Sequence, residues 1–196
     1  MNGWFYDWIT APAERRFLGA IRRELLAPLT GEIVELGAGT GHCFPYYGTS
    51  AHVRAIEPNA SMRAKARERA LTARAKIELL EGDDSVLDDM PERSADAVVA
   101  ALVMCSVEDP VRTLKRVARV LKPSGSFVTI EHVRAEDRTA RLQAFLSPLW
   151  RSISGNCHLD RVLEPALTEA GFSHVRLNNR TIPMPVRRLL YGIATH

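Results

Sequence analysis

The stretch Glu32-Ile33-Val34-Glu35-Leu36-Gly37-Ala38-Gly39-Thr40-Gly41 constrains this chain most, because a short apolar run ends in a carboxylate and three closely spaced glycines. Its first half predicts a strand. The glycines beyond it accept positive φ and let a ligand approach main-chain N–H groups that a Cβ would shield. A second strand, His52-Val53-Arg54-Ala55-Ile56, ends in Glu57, sixteen residues past Gly41. In a doubly wound α/β fold a carboxylate at that strand end bonds ribose hydroxyls. Two strand ends therefore converge on one nucleoside.

The glycine spacing separates two kinds of nucleoside ligand. Dinucleotide sites use G-x-G-x-x-G to bring a pyrophosphate to a helix N-terminus, whereas the spacing here is G-x-G-x-G. Glu35, just before the first glycine, would repel a pyrophosphate and pair with a cation. Both features favour S-adenosylmethionine, which carries an ammonium and a sulfonium and no phosphate. The competing reading is a glycine-rich βα turn with no ligand.

At 196 residues and 46% apolar content the chain suits one domain. The net charge of +3 combines 22 Arg with only 4 Lys. The arginines interleave with Glu and Ala on expected helix faces, as in Arg63 to Arg74, which reads as solvated surface and not as a nucleic-acid stripe. Trp4, Phe5, Tyr6 and Trp8 stand near the start without a basic region or long apolar run, so no signal peptide is expected. No segment reaches the roughly 20 apolar residues of a membrane span. Cys43, Cys105 and Cys157 form no C-x-x-C pair, which argues against a disulfide framework and for a reducing compartment. A cytoplasmic protein is the expectation.

Strand then alternates with helix. Asn59 caps a helix running to about Ala75. Lys76–Glu81 is a third strand and Ala95–Leu102 a fourth. Asp109 and Pro110 open a helix whose Val111, Leu114, Val117, Ala118 and Leu121 recur at helical spacing. Pro123-Ser124-Gly125 is a turn before a fifth strand, Ser126–Glu131. Five such units predict a doubly wound open sheet that binds ligands outside the carboxyl ends of its strands. A helix near Asp137 to Trp150, interrupted by Pro148, leads into the loop Ser154–His158. A last helix begins at Asp160 or, because of Pro165, near Glu164, and His174–Asn178 and Tyr191–Thr195 are two closing strands.

The order E-L-G-A-G-T-G, I-E-P-N, E-G-D, L-V-M-C-S-V, L-K-P-S-G and E-H-V resembles a class I S-adenosylmethionine-dependent methyltransferase over about residues 30 to 135. Cys43 to Tyr47, Leu102 to Val107, Glu131-His132-Val133, Gly155-Asn156-Cys157 and Tyr191-Gly192-Ile193-Ala194 resemble a narrower group, the methyltransferase-like thiol S-methyltransferases and their bacterial relatives. The resemblance implies an α/β, Rossmann-like, doubly wound and mostly parallel seven-stranded sheet, with helices on both faces and an antiparallel C-terminal strand. It also implies a single domain with N-terminal lid helices over 1–30, a cofactor core over 31–135 and an acceptor side over 136–196. Animal members carry an apolar N-terminal anchor that does not match here, so membrane attachment is not carried over.

By resemblance, Glu35 and the backbone of Gly37, Ala38, Gly39, Thr40 and Gly41 surround the methionine part of the cofactor. Glu57 takes the ribose, and Pro58, Asn59 and Met62 flank the adenine. Asp83 receives the adenine amino group beside Asp84 and Ser85, unless it is only a helix cap. Ala101 and Leu102 line the cofactor after the fourth strand. Tyr6 reaches the cofactor carboxylate, or is a core aromatic. His132 is the candidate base, against a histidine that merely orients a loop. Cys105, His132, Cys157 and His158 face the acceptor, with Asp160 nearby.

The three cysteines, with His42, His132 and His158, all fall near one rim, which raises zinc. Its ligands usually come as spaced sequence pairs, and His42-Cys43 and Cys157-His158 are too adjacent for both members to ligate. No metal is expected. Neither a D/N-P-P-Y motif nor a Pro-Cys nucleophile follows the fourth strand, which argues against two routes to nucleic-acid methylation. The leading expectation is methylation of a small-molecule thiol. The alternatives are N-, O- or C-methylation of a metabolite or quinone-like lipid, a dinucleotide-dependent oxidoreductase, and a cofactor-binding module without catalysis.

Overall fold

The computed structural model describes residues 2–196, and the side chains of all of these except Ile9 and Ile153. Met1, the first residue of the expected lid segment, lies outside the described residues. Helices α1 (Gly3–Ala13) and α2 (Gly19–Leu26) precede β1 (Gly31–Leu36), β2 (Ala51–Glu57), α3 (Ala60–Ala70), β3 (Lys76–Glu81) and β4 (Ala95–Ala101). Helix α4 (Pro110–Val120), β5 (Leu121–Val133), α5 (Thr139–Ile153), α6 (Glu164–Glu169), β6 (His174–Thr181) and β7 (Arg188–Thr195) follow.

The seven strands form one sheet in the order β3-β2-β1-β4-β5-β7-β6. Strands β1 to β5 pair in parallel, and β7 runs antiparallel to both β5 and β6. The chain moves outward one way through β2 and β3 and the other way from β4, so the order reverses between β1 and β4. Ligands of this fold bind at that reversal, beyond the strands' carboxyl ends.

Each central strand is apolar on both faces because helices cover both. Val34, Val98, Ala100 and Phe127 point to one core with Leu114 and Val117 of α4. Ile33, Ala97, Val99 and Val128 point to the other with Leu26 of α2 and Phe44. The alternation 33/34, 97/98 and 127/128 is the two-residue period of a strand. A fully buried side chain such as Ile33 contributes roughly 1.5–3 kcal/mol.

Three local expectations are corrected. Helix α3 stops at Ala70, although the Asn59 side chain caps it by accepting from the Ser61 and Met62 N–H groups. Leu121 belongs to β5, whose pairing with β4 jumps from Ala95–Leu121 to Ala97–Ser126, so Pro123-Ser124-Gly125 is a bulge within the strand. Helix α5 continues through Pro148 instead of breaking there. The N-terminal helices are joined by a π-helical turn, Glu14–Leu18, in which Gly19 N–H reaches back to Glu14 O.

Candidate active site

The loop after β1 is held by internal bonds: Ala38 N–H donates to Ile56 O at 2.9 Å, and Gly41 N–H to Ala38 O at 2.8 Å. Gly37 has φ +57°, and a Cβ there would stand 2.4 Å from Val103 Cγ2. Gly39 has φ +58° but faces open space, its nearest prospective neighbour being Gly37 O at 3.9 Å. The first glycine is required by packing and the second leaves room for a ligand against bare backbone.

Two carboxylates stand at the strand tips. Glu57 spans both loops: one oxygen accepts from Gly39 N–H and the other from Asn59 N–H, each at 2.8 Å. Each carboxylate oxygen has two lone pairs, so both retain one for a further donor. Glu35 is 2% exposed and accepts from the Tyr47 hydroxyl at 2.7 Å. Burial pushes its pKa up to about 7, against the opposing pull of the Tyr47 hydrogen bond and Arg22. A neighbouring cation would return the proton to solvent and a phosphate would not.

Arg22, buried beside Glu35, is neutralised by Glu14 at 3.0 Å and donates to Cys43 Sγ at 2.7 Å. Burial also keeps the Cys43 thiol protonated, well above the ordinary thiol range.

Helix α1 lies over the loop. The Asp7 carboxylate accepts from Thr40 Oγ1 at 2.5 Å and from Arg69 Nη2 at 2.8 Å. Arg69 Nη1 also bonds Thr40 O at 2.6 Å, so lid, glycine loop and α3 share one clamp. Burial works to raise the Asp7 pKa, but the Thr40 and Arg69 hydrogen bonds outweigh it and hold it below the usual range. His42 Nε2 is 3.1 Å from Asp7 Oδ1 without the direction of a hydrogen bond. Burial of the Tyr6 hydroxyl raises its pKa, and Arg22, Glu14, Cys105 and Cys43 lie within its electrostatic reach.

The reading of Arg63 to Arg74 as solvated surface is corrected at two positions. Arg63 Nη1 donates to Glu57 O at 2.8 Å and Pro58 O at 2.6 Å, and Arg69 holds the clamp. A guanidinium offers five donors in a fixed fork, which suits carbonyls that glycine-rich turns leave unpaired.

Of the residues expected to flank an adenine, Pro58 is exposed, and Asn59 and Met62 are half-buried at the start of α3. Asp83 is exposed and accepts from Ser85 N–H at 2.9 Å, capping the short helical turn 84–89. The Asp84 side chain bonds Thr113 Oγ1 and Arg116 Nη1 of α4, both at 2.7 Å. Ala101 and Leu102 end β4, and Leu102 holds φ +64°, an uncommon conformation for a branched residue.

Glu131 fixes the next loop: its Oε1 accepts from Val103 N–H at 2.7 Å and Met104 N–H at 2.8 Å. Its sequence signal, an acid inside an apolar strand, was visible without a role attached. Burial outweighs those two bonds and pushes Glu131 up to about 7. His132 Nε2 lies 2.8 Å from Cys157 Sγ, and Cys105 completes a cluster with them. His158 bonds Cys105 O through its backbone N–H at 2.8 Å, while Asp160 accepts from Ser147 of α5 at 2.6 Å. Of the six Cys and His residues expected at one rim, Cys105, His132 and Cys157 meet, and Cys43 stays with Arg22.

A seven-stranded sheet with acidic tips on β1 and β2 around a glycine loop is the framework of an S-adenosylmethionine-dependent methyltransferase. A methyltransferase domain model matches residues 34–129. The human thiol S-methyltransferase TMT1A is 34% identical over 172 residues, covering 83% of this chain and 69% of that protein. Rat thiol S-methyltransferase TMT1B is 34% identical over 167 residues, covering 82% of this chain and 66% of that protein. The SAH-bound form of CalO1, a methyltransferase in calicheamicin biosynthesis, superposes with a TM-score of 0.67 over 97% of this chain and 56% of that one, at 21% identity. The chain belongs to the S-adenosylmethionine-dependent methyltransferases, in the group that contains these thiol S-methyltransferases. Its cofactor is S-adenosylmethionine, which the open backbone at Gly39, the spare lone pairs of Glu57 and the protonatable Glu35 fit. No helix among the described residues is long and apolar enough to cross a membrane.

Proposed function

We propose that the protein methylates the sulfur of a small-molecule thiol. The observation that carries this reading is the similarity to TMT1A, which covers 83% of the chain. Residues 31–135 alone are too few to supply that share, so the similarity extends to the helices or the acceptor side.

The cofactor supplies a methyl group already activated on a sulfonium. The chain's own task is then alignment, exclusion of water and a deprotonated acceptor, of which alignment is worth on the order of 7–11 kcal/mol. In this reading Glu35 and the 37–41 backbone hold the cationic end, Glu57 the ribose, Asp83 the adenine, and Tyr6 of the 2–30 lid the cofactor carboxylate. A thiol, with a pKa of about 8.5, needs little help to ionise. His132 is the group assigned to take its proton. The thiolate sulfur forms the new bond to carbon as the carbon–sulfonium bond breaks, and that electron pair leaves on the neutral thioether product. The 136–196 segment supplies the acceptor side through Cys157 and His158.

Incubation with methyl-labelled cofactor and a panel of thiols, phenols and amines tests the reading. Label in a thioether is the expected product. Methylation of an amine or phenol with every thiol untouched would reject it.

A further inference from the structure

Cys105, His132 and Cys157 arrive from three segments: the loop after β4, the end of β5 and the loop after α5. The two sulfurs and a ring nitrogen all lie within 4.8 Å of one another. The Trp150 indole N–H donates to Cys157 Sγ at 3.3 Å. Other bonds hold the segments in place. His158 N–H bonds Cys105 O, Asn156 Nδ2 bonds Ser106 O at 2.9 Å, and Leu102 N–H bonds Ile130 O at 2.8 Å.

His132 is 5% exposed and turns Nε2 toward Cys157, so one ring nitrogen meets the sulfurs inside the fold. Buried cysteines alone need no explanation, since a thiol packs as a small apolar group. Two of them converging on one imidazole nitrogen do.

We propose that Cys105, His132 and Cys157 bind a thiophilic divalent cation, zinc, leaving a fourth position for the sulfur of the acceptor. With Zn–S near 2.3 Å and Zn–N near 2.0–2.1 Å, tetrahedral ligation separates donor atoms by about 3.6–3.8 Å. The cluster reaches that geometry with side-chain shifts of about an ångström. Two sulfurs and a nitrogen suit zinc and exclude magnesium or calcium, which take oxygen ligands. Once the two thiols have released their protons to solvent, two thiolates cancel the charge of the ion, so the buried site is neutral. Three protein ligands with one open position is the arrangement of catalytic zinc and not of a closed structural site. Cys105 stands two residues beyond Val103, whose side chain packs against Gly37, which places the site beside the glycine loop.

The use of the fourth position rests on the thiol reading above; the site itself does not. A coordinated thiol loses its proton to solvent and is presented as a thiolate, so His132 then serves as a ligand and not as a base.

The full chain, kept reduced with a phosphine and stripped with a chelator, is reloaded with zinc chloride or cobalt chloride. We expect about one metal per chain, and a cobalt spectrum with thiolate charge-transfer and tetrahedral bands that zinc displaces. C105S and C157S should each weaken binding by more than about tenfold, with adenosylhomocysteine binding as the check on folding. Absence of the thiolate band from the reduced wild-type protein overturns the proposal, even if a variant fails to fold. So does zinc retained by the double variant, or a Cys105–Cys157 disulfide that survives the phosphine. A zinc-loaded protein that methylates no thiol rejects the proposed function and leaves the site. Undiminished thiol methylation by stripped protein removes the role given to the fourth position.

Discussion

Glu35 carries the clearest pH signature. Its pKa of about 7, against the ordinary 4.5, means that the folded state holds a proton the unfolded chain releases. That contribution is complete below about pH 4.5 and is lost as pH rises through 7. At 1.36 kcal/mol per tenfold change in affinity for the proton, the loss amounts to roughly 3 kcal/mol. Glu131, also pushed up to about 7, adds a similar drop, so urea denaturation at pH 5 and pH 8 should show the sum in the wild type and about half of it in E35Q. Gly39 sets a second expectation. In G39A a Cβ enters the space left for ligand at a positive φ that alanine resists at about 1 kcal/mol, so calorimetry should find adenosylhomocysteine bound at least tenfold more weakly. Both positions were legible because they sit in one contiguous run. Arg69 and Asp7 were not paired from sequence, since 62 residues separate them, and an arginine among Glu and Ala on a helix looks solvated until the neighbouring loop is placed.

At the scale of elements, the clamp by which Asp7 joins Thr40 and Arg69 holds α1 to the sheet. Charged hydrogen bonds of this sort are worth about 1.5–3 kcal/mol when half-buried. D7A should therefore speed hydrogen exchange across 3–13 while leaving β1 and β4 protected. Glu131 ties the loop after β4 to β5. E131A should lower global stability by about 3 kcal/mol, read by denaturation, because it strands two buried N–H groups that E131Q can still satisfy through its carbonyl oxygen. Most strands were legible from apolar runs bounded by turn residues. The bulge at Lys122–Gly125 was not, because Pro-Ser-Gly is turn chemistry whether the strand has begun or not. Helix α5 passes through Pro148 for a reason that periodicity does not carry, and the π-helical turn at Glu14–Leu18 follows from backbone geometry with no side-chain signature.

For the molecule as a whole, the sheet order makes one surface serve ligand and stability together. A ligand that binds only the folded state at 100 times its dissociation constant adds about 2.7 kcal/mol. Adenosylhomocysteine should accordingly raise Tm by roughly 5–10 °C, and NADH at the same concentration should leave it unmoved. The strand ends that carry Glu35 and Glu57 were readable because each closes its own apolar run. Cys105, His132 and Cys157 were expected near one rim with three other residues, but which of the six meet is a property of the folded loops and not of any spacing along the chain.

Glu57 reaches Gly39 on one side and Asn59 on the other, and this has a kinetic consequence. With both loops fixed from within the chain, docking has little ordering entropy to overcome, so association should follow single-exponential stopped-flow kinetics that stay linear in ligand concentration. The residence time of the nucleoside, and not a rearrangement on the way in, then sets how tightly it is held.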